Sequence, residues 1–130
     1  MTLSQARLKL KKLFEEEREL LAVFLARRRL IRGGVYQARF RCGKPNCRCQ
    51  REGQLHHHWR LYWTEGGQSR LRPLRASEVG YYQRLTRNYQ RFRRARARLV
   101  KIHREMMVLI NFLERGLTVG AVGDYAREGQ

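Results

Sequence analysis

Arg41-Cys42-Gly43-Lys44-Pro45-Asn46-Cys47-Arg48-Cys49, with His56 following, is the stretch around which the rest of the chain can be read. It holds all three cysteines of the protein. Cys42-x4-Cys47-x-Cys49-x6-His56 offers three thiolates and one imidazole, the donor set of a closed tetrahedral zinc site. Zinc accepts soft sulfur and nitrogen donors and imposes no geometry beyond four-coordination. Gly43 and Pro45 are turn formers that can fold the loop back on itself. Lys44 and Arg48 favour the thiolate form electrostatically. His57 and His58 adjoin His56, so the sequence leaves three candidates for the fourth ligand. The spacing is not the common CxxC pair, and a loop of free or redox-active thiols is the alternative; three cysteines cannot close a complete disulfide framework. A catalytic zinc keeps a position open and usually has a carboxylate beside it. Glu52 is the one acid nearby, so the expected zinc is structural and the protein non-enzymatic. His103-Arg104-Glu105 contains the H-x-E of zinc deaminases, but the P-C-x-x-C that should follow is missing.

Cys42-Gly43-Lys44-Pro45-x-Cys47-x-Cys49, then a histidine and an aromatic strand, resembles an uncharacterised family of short basic prokaryotic proteins. The resemblance runs from Phe40 to about Tyr89. Members of that family often carry His-Gly-Pro-Tyr where this chain has His56-His57-His58-Trp59, a departure that leaves His56 aligned. The resemblance implies an association with mobile elements and transposases, and with it an accessory place in a nucleoprotein complex of mobile-element or RNA-guided type.

Twenty-nine Lys+Arg against eleven Asp+Glu give a net charge of +18 on 130 residues. A field of that size speaks to partners rather than fold, and nucleic acid, DNA or RNA, is the commonest polyanion that such a protein meets. Most of the charge is arginine, which grips phosphate bidentately and stacks on bases. The N-terminus is charged and amphipathic throughout, unlike a signal peptide. No apolar run is long enough to cross a bilayer. Cytoplasmic location and reduced cysteines are the corresponding expectations.

In order along the chain, helix-forming residues without Gly or Pro predict a helix over 4–32, closed by Gly33-Gly34. Its apolar stripe has heptad-like spacing. Arg27, Arg28, Arg29 and Arg32 close it and meet the helix dipole. Glu15, Glu16, Glu17 and Glu19 are either a solvated face or a counter-charge for arginines elsewhere. Alternation predicts a zinc-stapled sheet over 35–74: strands 35–41, 57–64 and 69–74, with Glu65-Gly66-Gly67-Gln68 as a hairpin turn. Tyr36, Phe40, Trp59 and Trp63 are expected in the core, and Arg39, Arg41, Arg60 and Tyr62 on a face that touches nucleic acid. Ser77 is the expected N-cap of a second, basic helix over 77–115.

That second helix carries Arg84, Arg87, Arg91, Arg93, Arg94, Arg96, Arg98, Lys101 and Arg104 with no acid between them. Solvated faces normally mix signs. Arg84, Arg87, Arg91, Arg94, Arg98 and Lys101, with Lys44 and Arg48 of the loop, are therefore expected on phosphates, making backbone contacts rather than base-specific ones. A seam of Tyr82, Leu85, Tyr89, Phe92, Arg96, Leu99, His103, Met106, Ile110 and Leu113 has coiled-coil spacing. Met106, Leu109, Ile110 and Leu113 are the candidates for contact with a larger protein complex or with a second copy in a homodimer. The expected whole is one α+β domain over 1–116, with a flexible tail over 117–130. In it, two long helices form an antiparallel coiled-coil-like hairpin around a small three-stranded antiparallel sheet with a zinc knuckle. A coiled-coil scaffold binding an acidic protein partner is the second reading of the same features.

Overall fold

A computed structural model of the chain describes residues 1–120. Its elements are α1 (Leu3–Leu25), β1 (Gly33–Phe40), the short α2 (Arg48–Arg51), β2 (His56–Glu65), β3 (Gln68–Leu74) and α3 (Ala76–Leu117). They fall into two compact units. One comprises Met1–Leu25 and the chain from Arg94 onward; the other comprises Ala26–Arg93. The part of the expected tail over 121–130 lies outside the described residues.

In the first unit, α1 opens with a reciprocal cap. The Gln5 N–H donates to Thr2 Oγ1 at 3.1 Å, and the Thr2 N–H donates back to Gln5 Oε1 at 2.9 Å. Two of the helix's orphan donors are satisfied this way. Ala6 and Leu13, one heptad apart, are buried with Ile102, Met106 and Leu109 of α3, and Leu10, Leu20, Phe112 and Leu113 pack around them. The helices run antiparallel: Glu16 meets Arg98, whereas Leu3 lies beside Gly116. Ile102, fully buried, centres this cluster.

The second unit holds an antiparallel sheet in the order β1-β2-β3. Gly33 pairs with Trp63 and Phe40 with His56, while Trp59 pairs with Leu74 and Glu65 with Gln68. The turn between β2 and β3 is two residues long, Gly66 (φ 56) and Gly67 (φ 80). Two successive positive φ angles are what a type I′ hairpin requires, and glycine takes them without a Cβ penalty. Leu61, Leu74 and Val79 form the core, joined by Ile31, Val35, Trp59, Trp63 and Tyr82. The start of α3 therefore covers one face of the sheet. Glu78 anchors that start: its Oε1 accepts the Arg75 N–H at 3.1 Å, and its Oε2 accepts Arg72 Nη2 at 2.8 Å.

Several expectations need correction. The two long helices do not form a hairpin around the sheet. The sheet's core draws on the first turns of α3 and on no residue of α1, and α1 spends its apolar stripe on the C-terminal part of α3. A third, short helix lies within the cysteine loop. Helix α1 stops at Leu25, not at residue 32. Beyond it Ile31 joins the sheet's core, and its N–H donates to Leu85 O at 3.1 Å; tertiary burial outweighs helix propensity here. Ser77 lies inside α3, and the capping role belongs to Glu78. Tyr36 and Phe40 are not core. The β1–β2 register puts them on the face opposite Trp59, Leu61 and Trp63, and they stay 39% and 37% exposed.

Ile102→Ala should cost about 2–5 kcal/mol of stability, the range for emptying a buried aliphatic site. Val108→Ala, at a position 64% exposed, should cost less than about 0.5 kcal/mol. Denaturant unfolding of both variants checks the contrast.

Candidate metal centre

Cys42, Cys47, Cys49 and His56 converge. Their four donor atoms all lie within 4.8 Å of one another. Cys42 Sγ stands 3.5 Å from Cys49 Sγ, and Cys47 Sγ stands 3.0 Å from His56 Nε2. A tetrahedral ion with metal–sulfur bonds of about 2.3 Å needs sulfurs roughly 3.8 Å apart, so the four donors already have the scale of a single coordination shell. Among the described residues this is the group of His, Cys, Asp and Glu side chains that could hold a metal ion.

The local chain explains the convergence. Cys42 lies two residues past the end of β1, and His56 begins β2, directly paired with Phe40. Cys47 occupies the N-cap position of α2, where the Gln50 and Arg51 N–H groups donate to its carbonyl oxygen. One residue into that helix, Cys49 is 1% exposed. The Lys44 carbonyl accepts the Cys47 N–H at 3.2 Å, closing the turn that Gly43 and Pro45 suggested. The Gln50 side chain donates to Cys42 O at 2.7 Å and ties helix to strand end. Of the three adjacent histidines, His56 is the one brought into the cluster. His58 instead accepts Arg60 Nε at 2.5 Å, and His57 is exposed on the opposite face of the strand.

The electrostatics differ from thiol to thiol. The Cys49 backbone N–H, then the His56 imidazole and the other two cysteine side chains, draw the Cys47 thiol down to about 6. Burial first of all pushes the Cys49 thiol up. A soft set of three thiols and one imidazole, with no carboxylate in it, is compatible with a metal ion that accepts sulfur and nitrogen donors.

The residues expected on nucleic acid are placed less uniformly. Arg41, Lys44 and Arg48 are exposed around the cysteine loop. Arg60 and Tyr62 share one sheet face, but Arg39 lies on the other, paired across the ladder with His57. Arg84, Arg87, Arg91, Arg94 and Lys101 are exposed along α3. Arg98 is taken: its Nε and Nη2 donate to the two carboxylate oxygens of Glu16 at 2.6 and 2.8 Å. That contact lowers the Glu16 carboxyl and raises the Arg98 guanidinium. His103 similarly meets Glu17 at 3.0 Å. Of the expected partner-contact residues, Met106 and Leu109 are buried against α1 and Leu113 packs on the same cluster, while Ile110 stays 37% exposed. Sequence reasoning missed Ile102, and although it put Arg60 and Tyr62 on an open sheet face it did not place His58, Tyr36 and Phe40 beside them; the β2 alternation of His, His, Arg and Tyr at every second residue was the available signal for His58.

In metal-free protein near neutral pH, iodoacetamide should alkylate Cys47 first and Cys49 last, with the Cys47 rate falling as pH drops below about 6. The lowered thiol is ionised above that pH and loses its thiolate on acidification. Peptide mass mapping over a pH series reads the order.

No helix among the described residues is long and apolar enough to cross a membrane. Comparison with curated proteins and with solved structures gave no match. A family comparison matches residues 10–84, more than half of the chain and inclusive of the cysteine loop and all three strands. On that match the chain belongs to the family described as a domain of unknown function, DUF6788.

Proposed function

We propose that this protein is a non-enzymatic, zinc-stabilised nucleic-acid-binding protein, an accessory subunit of a mobile-element or RNA-guided nucleoprotein complex. Zinc is the ion favoured by a closed set of three thiols and one imidazole, and such sites contribute folding free energy directly. The four donors bridge the ends of β1 and β2, so the ion would fasten a sheet too small to be robust alone.

One observation carries the nucleic-acid reading. From Arg84 to Arg104 helix α3 bears nine basic residues and no acid, and among the described residues only Arg98 of these nine is in an ion pair. Unneutralised like charges repel along a helix, and a phosphate backbone relieves that repulsion while releasing its own counterions. Arg84, Arg87 and Arg91 recur at steps of three and four residues and so share one side of the helix. The link to mobile elements rests on the resemblance of the cysteine motif alone.

A second reading has an observation of its own. Phe14, Leu21 and Leu25 of α1 are 51%, 50% and 70% exposed, and Phe14 and Leu21 line a groove with Phe24 and Leu99. An apolar face of this kind suits a helical protein partner, as a coiled-coil scaffold for an acidic protein would have.

Arg84→Glu/Arg87→Glu/Arg91→Glu should weaken binding to every nucleic acid roughly alike and flatten the salt dependence. Native protein that neutralises six or more phosphates should lose about a thousandfold in affinity between roughly 50 and 200 mM salt. Fluorescence anisotropy across a salt series measures both, and a loss confined to one base sequence would overturn the backbone-contact reading. Cys47→Ser should lower the bound zinc, read by elemental analysis, and melt the sheet before the helices, read by circular dichroism. Retention of both metal and melting temperature would sink the zinc assignment.

A further inference from the structure

The sheet face turned away from α3 has an unusual composition. The central strand β2 places His56, His58, Arg60 and Tyr62 there, and β1 adds Tyr36 and Phe40. All six are planar side chains. Neither core cluster contains any of them, and Tyr36, Phe40 and Tyr62 remain 39%, 37% and 50% exposed. Glu65 is the one acid in the three strands. It lies on the other face, where it accepts Trp63 Nε1 at 3.3 Å. β3 adds Leu71, 56% exposed beside Tyr62, and Pro73 beside Arg60, so the open face is mainly aromatic, with one arginine and no carboxylate, in a protein of net charge +18.

Its rings are held in place. Tyr62 covers Gly34 so closely that a Cβ there would stand 2.6–2.7 Å from Tyr62 Oη, Cε1 and Cζ. Tyr62 therefore spends one side on backbone and leaves the other to solvent. Tyr36 lies 6.0 Å away, centroid to centroid, inclined by 51°. Phe40 stands 5.4 Å from the His56 ring and 4.8 Å from the His58 ring. The Arg60 guanidinium, bonded to His58, sits across the ladder from Tyr36. Unpaired bases gain much from such a face, since every base has a π-face that stacks on an aromatic ring and each carries a phosphate for a nearby cation. Duplex bases, stacked on each other, cannot reach it.

We propose that this face binds an unpaired nucleic-acid strand, stacking bases on Tyr62, Tyr36 and Phe40 with Arg60 on a phosphate. The proposal rests on the nucleic-acid reading above and specifies the state of the strand. Because the contact is with base faces, DNA and RNA strands should both bind.

The test is anisotropy binding of the full-length, zinc-loaded protein to oligo-dT and oligo-U strands of about 12 nucleotides, within known site sizes, and to a blunt duplex. Tyr62→Ala should weaken single-strand binding about tenfold, Tyr36→Ala/Tyr62→Ala more, and Tyr62→Phe hardly at all. Duplex binding should not change in any of them. Ultraviolet cross-linking of an iodouracil-containing strand to the unmodified protein, followed by peptide mapping, adds a readout that needs no folded variant. Cross-links at Tyr36, Phe40 or Tyr62 support the proposal. Unchanged single-strand affinity in the double variant, an equal loss on duplex, or cross-links confined to α3 overturn it. Failure of the parent reading looks different: the native protein then binds neither strand nor duplex.

Discussion

Three thiols and an imidazole stand within reach of a single ion where the ends of β1 and β2 meet, and an ion held there would fasten those ends together. The segment between the strands is long and polar, and in an unfolded chain its closure costs entropy with no apolar burial to offset it. Cys49, within α2, is the one fully buried residue of that segment. Register follows from the same junction. Once His56 is fixed opposite Phe40, every later pair on β2 is determined, and a slip of one residue would send Leu61 to solvent and Tyr62 to the core.

Several acids among the described residues are paired within their own unit. Glu16 and Glu17 are engaged with Arg98 and His103 in the unit built from the helices, and Glu78 is engaged with Arg72 and the start of α3 in the other. These exposed pairs are screened by solvent and stabilise the fold little. Their larger effect is on where positive charge is left over. The acids neutralise Arg98 and Arg72, leaving Arg84, Arg87 and Arg91 without a counter-charge among the described residues. Charge and ring stacking thereby occupy different surfaces: the former lies along α3, the latter on the sheet's open face.

Local chemistry was legible in the sequence and long-range choice was not. The strands and the Gly66-Gly67 turn were readable because alternation and positive φ are properties of a few adjacent residues. So was the cysteine loop, since its donors act through their chemical identity. The end of α1 was not readable, because the chain leaves the helix to deliver Ile31 to a sheet core made of distant residues. Neither was the assignment of aromatics to faces. Tyr36 and Phe40 alternate as cleanly as Trp59 and Trp63, and only the register shows that the two pairs point in opposite directions. On α3 a stripe through Leu99 and His103 adjoins one through Ile102 and Met106; packing against Ala6 and Leu13 selects the second.

Gly34 has no unusual backbone angle, so its lack of a side chain is a matter of space claimed by the Tyr62 ring. Residue 34 is therefore free to grow only where the ring at 62 moves or is lost, whereas residue 62 can shrink alone. A methyl group at residue 34 has to lift the ring, and a smaller residue at 62 is what makes room for it. Across homologous chains, alanine or larger residues at the first position should coincide with loss of the aromatic at the second, while glycine at the first is compatible with either.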